Sequence, residues 1–389
     1  MKRYFVNFIK YFKWAYSIYY YTLNFFIYLL RMFVKPDDKL ILFNSFGGKK
    51  YDDSPKAIYE AMLRDKRFNG YSFVWAFHNP RDFCIKGAKV IKIDTYRYFS
   101  TALKARCWIT NSGIERGLNF KGKNTFYFNT WHGTPLKKMG VDILAGNKSF
   151  RSKNKKSNVD IMTAQSDFEA DIFSRVFGIE RSNFLMCGLP RNDCLVRYTE
   201  TEKNILKKKL GLPENKKVIL YAPTFREYER DNEHNCVLKP PMDLKKWEEK
   251  LKDEYCLLFR AHYEVGKIMD LTENDFLKNM TLYPSLEELM IVSDILISDY
   301  SSIMFDFSVM DKIILLFTYD YDKYEAKRGM YFDIRKNFDG SNSEDGVIEI
   351  LKNIHESEQK KKTIKFREKY VNYSGDAVRQ SLDCISSNL

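Results

Sequence analysis

Four stretches of this chain bring together residue types that move protons or grip phosphate oxygens. Trp131-His132-Gly133-Thr134-Pro135 places an imidazole just after Asn124–Phe128, an aromatic run that predicts a strand. An imidazole titrates near ~6.5, so His132 is suited to take a proton at neutral pH. Pro135 predicts a helix start, which would gather unpaired backbone N–H groups beside His132. A lone histidine is more often structural, so the case rests on the other stretches. Thr224 and Arg226 follow the apolar run Val218–Tyr221, Arg260 and His262 end the run from Cys256, and Asp299, Ser301 and Ser302 follow Ile295–Ser298. Arginine forks and hydroxyls suit phosphate oxygens. The polar groups therefore sit at predicted strand ends, where α/β sheets bind ligands.

The competing chemistries leave no trace. No GxGxxG follows a strand, no GxxxxGK[ST] is present, and there is no HExxH. Neither a dinucleotide, a P-loop nucleotide nor a metal is expected, and no cofactor. Asp320-Tyr321-Asp322 matches a DxD by spacing alone, and three-residue acidic matches are common by chance. The seven cysteines form no CxxC pair, and several, Cys107 among them, read as small buried hydrophobes.

The elements that would position these groups alternate. Strands are expected at Leu40–Phe43, Tyr71–Phe77, Lys89–Ile93 and Cys107–Thr110, with helices at Asp53–Arg64 and Tyr96–Lys104. The same rhythm returns through Val218–Tyr221, Ile295–Ser298 and Lys312–Phe317. Such βαβ alternation implies an α/β fold with parallel sheets. A chain of 389 residues is too long for one comfortable core, so two domains are expected, residues 37–200 and 201–389, with the final helix packing back on the first as an alternative. The highly charged residues 196–216 form the crossover. Gly146–Asn158, with Lys148, Arg151, Lys153, Lys155 and Lys156, reads as a basic loop.

The formal charge of +13 points to anionic partners. Residues 1–36 carry only basic charges, and Trp14–Leu30 is uncharged yet rich in tyrosine. That stretch is too short and polar for a span of ~20 apolar residues. It fits a helix lying on an anionic membrane surface, with packing on the core as the alternative.

Taken together, Thr130–Lys137, Gly188-x-Pro190-Arg191-Asn192-Asp193, Tyr221-Ala222-Pro223-Thr224-x-Arg226, Arg260-x-His262 and Ile297–Ser302 resemble the CDP-glycerol glycerophosphotransferase family of teichoic acid primases and polymerases. Gly375-Asp376-Ala377 with Arg379 extends the likeness. Leu189, Phe225 and Ile313 depart from it without removing a polar group. The resemblance implies a GT-B-like fold: two Rossmann-like domains facing across a cleft, with acceptor in the first and a CDP-alditol in the second. It implies transfer of glycerol phosphate or ribitol phosphate from CDP-glycerol or CDP-ribitol to an undecaprenyl-diphosphate-linked acceptor, with release of CMP and no metal. The protein would sit peripherally at the cytoplasmic face of the cell membrane. His132 would be the general base, and His262 a phosphate ligand or an acid for the leaving group. Gly133, Thr134, Arg191, Thr224, Arg226, Arg260, Ser301 and Ser302 would hold substrate. Asp299 would orient a histidine or the ribose, or cap a helix. The alternative is a GT-B glycosyltransferase using a nucleotide-sugar. A nucleic-acid scaffold lacks any recognisable binding motif.

Overall fold

The computed structural model describes residues 12–143, 157–224, 226, 240–261 and 272–389. His262, Phe225 and most of the basic Gly146–Asn158 stretch lie outside the described residues. The chain forms two compact units: Met1–His132, Met139–Asp193 and Tyr373–Leu389 make the first, Gly133–Lys138 and Cys194–Asn372 the second.

The first unit opens with α1 (Lys13–Phe33). Strands β1 (Asp37–Asn44), β2 (Ser72–Phe77), β3 (Ala88–Lys92), β4 (Ala105–Thr110), β5 (Phe126–Asn129), β6 (Ile161–Ala164) and β7 (Phe184–Met186) follow. They form one parallel sheet in the order β3-β2-β1-β4-β5-β6-β7. The helices between them include α2 (Asp53–Met62), α3 (Tyr96–Lys104) and α4 (Asp167–Phe177). Continuous apolar runs such as Ile41-Leu42-Phe43 suit strands buried on both faces. Phe43 stacks on Trp75 at 5.1 Å between ring centres. Strand order reverses between β1 and β4, the switch point at which Rossmann-like sheets bind ligands.

The C-terminal helix Ala377–Asn388 belongs to this unit, and its Leu382 and Ile385 join the core of Ile41, Phe43 and Trp75. Asp193 holds its start: the backbone N–H groups of Ala377 and Val378 donate to the two carboxylate oxygens at 3.0 and 2.8 Å. That satisfies donors no helix can satisfy itself. Gly188 has φ +92°, and a Cβ there would lie 2.6 Å from the Tyr373 carbonyl oxygen. This close approach and the left-handed backbone both require glycine.

One face of α1 is seated on the unit. Tyr16 donates to the Gly117 carbonyl (3.2 Å), Arg31 to that of Phe120 (2.6 Å), and the Asn119 N–H donates to the Asn24 side chain (3.0 Å). The opposite face exposes Trp14, Ile18, Tyr21, Phe25, Tyr28 and Met32, each at least 59% accessible. Their spacing of three and four residues makes one continuous stripe. No described helix is long and apolar enough to cross a membrane.

The second unit repeats the architecture. Its strands are β8 (Lys217–Tyr221), β9 (Tyr255–Phe259), β10 (Leu277–Asn279), β11 (Ile295–Ser298), β12 (Ile313–Phe317) and β13 (Gly340–Ser341). They are parallel in the order β10-β9-β8-β11-β12-β13. Helices α5 (Leu286–Val292), α6 (Ile303–Ser308) and α7 (Tyr321–Arg328) lie among them. Each unit is thus Rossmann-like, with its own switch point, here between β8 and β11.

Asp193→Ala should destabilise the first unit by about 1 to 2 kcal/mol through loss of the cap. A denaturant titration that leaves the transition of this unit unmoved would contradict the role given to the carboxylate.

Candidate functional site

In the first unit the strand ends at the switch point are polar: Asn44 after β1, Asn111 and Ser112 after β4, Asn129 and Thr130 at β5. The three asparagines are essentially buried. The Asn129 side chain accepts the Trp131 N–H at 2.8 Å, and Trp131 takes a left-handed turn at φ +49°. That turn delivers His132, whose Nδ1 donates to the Asn111 carbonyl at 2.7 Å. A ring nitrogen facing a carbonyl must carry the proton, so Nε2 holds the lone pair. The imidazole is half-buried, stacks on Trp131 at 4.1 Å between centres, and tilts against Phe46 at 5.7 Å.

Asn111 does more than hold the histidine. Its side-chain oxygen accepts the Phe46 N–H at 2.7 Å, while Ser112 accepts that of Gly47 at 2.9 Å. The loop after β1 and the ring of His132 are therefore set by the same residue. Burial pushes the His132 pKa below the ordinary histidine value; the Asn111 carbonyl and Asp53 oppose the shift, and Arg191 adds to it.

Arg191 pairs with Asp53 at 2.9 Å, and both side chains are almost fully buried. Its backbone N–H reaches the Ser54 hydroxyl at 3.3 Å. The guanidinium expected to meet substrate is thus an internal counter-ion to the first residue of α2. A cavity of about 940 Å³ in the same unit is lined by Ser112, Tyr127, Trp131, Met139, Arg175 and Phe177, among others.

The helix expected after Pro135 does not form. Gly133–Lys138 is extended and belongs to the second unit: Lys137 bridges Met330, Lys138 N–H donates to the Gly329 carbonyl at 3.0 Å, and Tyr331 N–H donates to that of Leu136 at 2.9 Å. Those backbone groups are committed to a β-type pairing and cannot enter a helix. Gly133 and Thr134 are buried within this segment. His132 is consequently aimed by its own turn and by Asn111.

In the second unit the ends of β8, β11 and β12 carry the polar groups. Asp299 accepts the backbone N–H of Thr224 (2.9 Å) and of Tyr300 (2.6 Å), so it braces two loops and caps no helix. Ser301 and Ser302 are half-buried just before α6, and Thr224 is half-buried after β8. Arg260 follows β9 and donates to the carbonyls of Met280 and Tyr283. Arg226 was expected to grip phosphate, but it is 1% exposed and paired with Asp299 and Asp320, each at 2.8 Å. Burial opposes its charge, yet Asp299 and then Asp320 hold its pKa above the usual arginine value. Asp320, the first acid of the DxD-like triplet, is therefore engaged by arginine. Among the described residues no group of three His, Cys, Asp or Glu is placed to hold a metal ion.

Sequence reasoning missed Asn111, Asp53 and Asp320. Asn111 had a signal: Asn44, Asn111 and Asn129 each end an apolar strand. Asp53 and Asp320 stood out locally as a helix start and a DxD match, but nothing local pointed to their arginine partners, 138 and 94 residues away.

The family profile of CDP-Glycerol:Poly(glycerophosphate) glycerophosphotransferase matches residues 26–383. The chain belongs to this family. It is 35% identical to the teichoic acid poly(glycerol phosphate) polymerase of Staphylococcus epidermidis over 84% of its own length, and spans 47% of that longer relative. It is 33% identical to the teichoic acid glycerol-phosphate transferase of Staphylococcus aureus, covering 83% of this chain and 85% of that protein. The solved structure of the wall teichoic acid polymerase TagF superimposes with a TM-score of 0.84 at 31% identity, covering 94% of this chain and 93% of that one.

Because His132 has a lowered pKa, the folded state binds its proton less readily than the unfolded chain does. Its contribution to stability is therefore complete above the unfolded value near ~6.5 and is lost as pH falls below it. An NMR titration should place the His132 midpoint below that value; a midpoint above it would remove burial as the dominant influence.

Proposed function

We propose that the protein transfers glycerol phosphate, or ribitol phosphate, from a CDP-alditol to a hydroxyl of a lipid-linked cell-wall glycopolymer acceptor, releasing CMP. The observation that carries this reading is the 2.7 Å approach of His132 Nδ1 to the Asn111 carbonyl in a chain of this family. With Nδ1–H bonded to Asn111, the Nε2 lone pair can accept a hydroxyl proton. The acceptor oxygen attacks the β-phosphorus in line, the bond from that phosphorus to the oxygen of CMP breaks, and the acceptor proton passes to Nε2. Burial lowers the His132 pKa, which favours the neutral, proton-accepting form.

Phosphoryl transfer depends mainly on positioning and charge stabilisation. Thr224, Arg260, Ser301 and Ser302 of the second unit are proposed to hold the diphosphate, and the cavity beside Trp131 to receive the acceptor. His262 remains a candidate phosphate ligand or acid. Arg191 and Arg226 support these surfaces through Asp53, Asp299 and Asp320.

The exposed stripe of α1 supports peripheral attachment to an anionic membrane surface. Its aromatic side chains suit the headgroup region, and Arg31 and Lys35 lie at its C-terminal end.

His132→Ala is expected to lower CMP release roughly 10²–10⁴-fold with CDP-glycerol binding retained. Near-normal release by the folded variant would remove His132 as the base. Comparing CDP-glycerol with CDP-ribitol over lipid acceptors, and sizing the products, identifies the donor and separates one addition from many. Phe25→Asp with Tyr21→Asp should abolish co-flotation with anionic vesicles; unchanged flotation would show that α1 is not the contact.

A further inference from the structure

Arg226 is enclosed on every side that the structure describes. Its Nε and Nη2 donate to the two oxygens of Asp320 at 2.8 Å each, a bidentate pair. Its Nη1 lies 2.6 Å from the Thr224 carbonyl and 2.8 Å from Asp299. The guanidinium carbon sits 5.0, 5.2 and 4.9 Å from the ring centres of Tyr300, Tyr319 and Tyr324. Tyr300 stacks on Tyr324 at 4.1 Å, and its hydroxyl donates to Asp320 at 3.1 Å.

The partners come from separate elements. Thr224 follows β8, Asp299 and Tyr300 follow β11, Tyr319 and Asp320 follow β12, and Tyr324 lies on α7. One cation thus ties the carboxyl ends of three adjacent strands. A buried arginine is tolerable only when its donors and charge are matched, and here two carboxylates, a carbonyl and three aromatic faces match it. The same cage reaches one segment more: the Lys137 ammonium lies 5.5 Å from the ring centre of Tyr324, in the stretch that continues the chain from His132.

We propose that Asp320, acting with Arg226 and Tyr300, is a positioning residue for the donor: the clasp fixes where Thr224, Ser301 and Ser302 present themselves to a nucleoside diphosphate, and Arg226 does not itself touch the donor. This rests on the transferase reading above. It accounts for an acid at position 320 without a metal, and for an arginine that is polar in sequence yet inaccessible in the fold. Loops displaced by a fraction of an ångström would still bind and turn over, but poorly.

The test uses the full chain with CDP-glycerol, measuring CMP release, together with hydrogen exchange of peptides covering 218–224 and 297–304 without ligand. Asp320→Asn and Arg226→Lys should each raise KM for CDP-glycerol about tenfold or more, with the acceptor KM within about twofold. The double variant should be no worse than the more damaged single one, because the residues act as a unit. Tyr300→Phe, which keeps the ring and loses one hydrogen bond, should raise the same KM about threefold, and decides the matter if the charge variants do not fold. Exchange should quicken in both peptides in every variant.

Three outcomes would overturn the clasp. Arg226→Lys could be crippled while Asp320→Asn keeps its donor KM, which would make Arg226 a direct ligand. The losses could multiply in the double variant, or stability could fall with the donor KM and the exchange of both peptides unmoved. A wild-type protein that releases no CMP and binds no CDP-glycerol would instead sink the transferase reading, and the exchange arm would still decide whether the clasp holds the loops.

Discussion

A charge taken out of water must find its opposite, and two arginines of the sequence motifs, Arg191 and Arg226, obey that constraint. Arg191 meets Asp53 in the first unit, and Arg226 meets Asp299 and Asp320 in the second. Each pair joins elements distant in sequence at the carboxyl edge of a parallel sheet. Without them, the loop after β1 would lose its tie to Arg191, and the loop after β8 its tie to β11 and β12. Thr224, Ser301 and Ser302 thus stand beside a charged support that is already neutralised.

His132 shows how little is needed to orient an imidazole. One carbonyl, that of Asn111, decides which nitrogen carries hydrogen, and two aromatic rings decide where the imidazole lies. Burial lowers the proton affinity, while the carbonyl and Asp53 restore part of it. The tautomer and the pKa are thus set by different neighbours. The asparagine whose carbonyl holds the histidine also pins Phe46 through its side chain, so the Phe46 ring and the imidazole share one support.

Much of the fold was legible in the chain. Strands β1, β2, β4, β8, β11 and β12 fall where continuous apolar runs meet turn residues, because parallel strands covered on both faces need apolar side chains at nearly every position. Ser166 and Ser285 each accept the backbone N–H three residues on, capping the helices that begin there. The helix after Pro135 failed for a reason no local pattern contains. A proline permits a helix start, but Leu136, Lys137 and Lys138 pair with Gly329–Tyr331, nearly two hundred residues later. The C-terminal helix joins the core of the first unit, the alternative the sequence left open, with Asp193 holding its start from 184 residues away.

The sequence by itself determined the chemistry at the strand ends and the family, because residue type, order and spacing are local properties that survive without coordinates. It could not determine which polar residues face ligand and which face each other. That depends on pairings across tens to hundreds of residues, and burial alone converts an arginine from a phosphate grip into a counter-ion. Tertiary structure therefore decided the roles of Asn111, Asp53 and Asp320, the inward turn of Arg191 and Arg226, and the tautomer of His132.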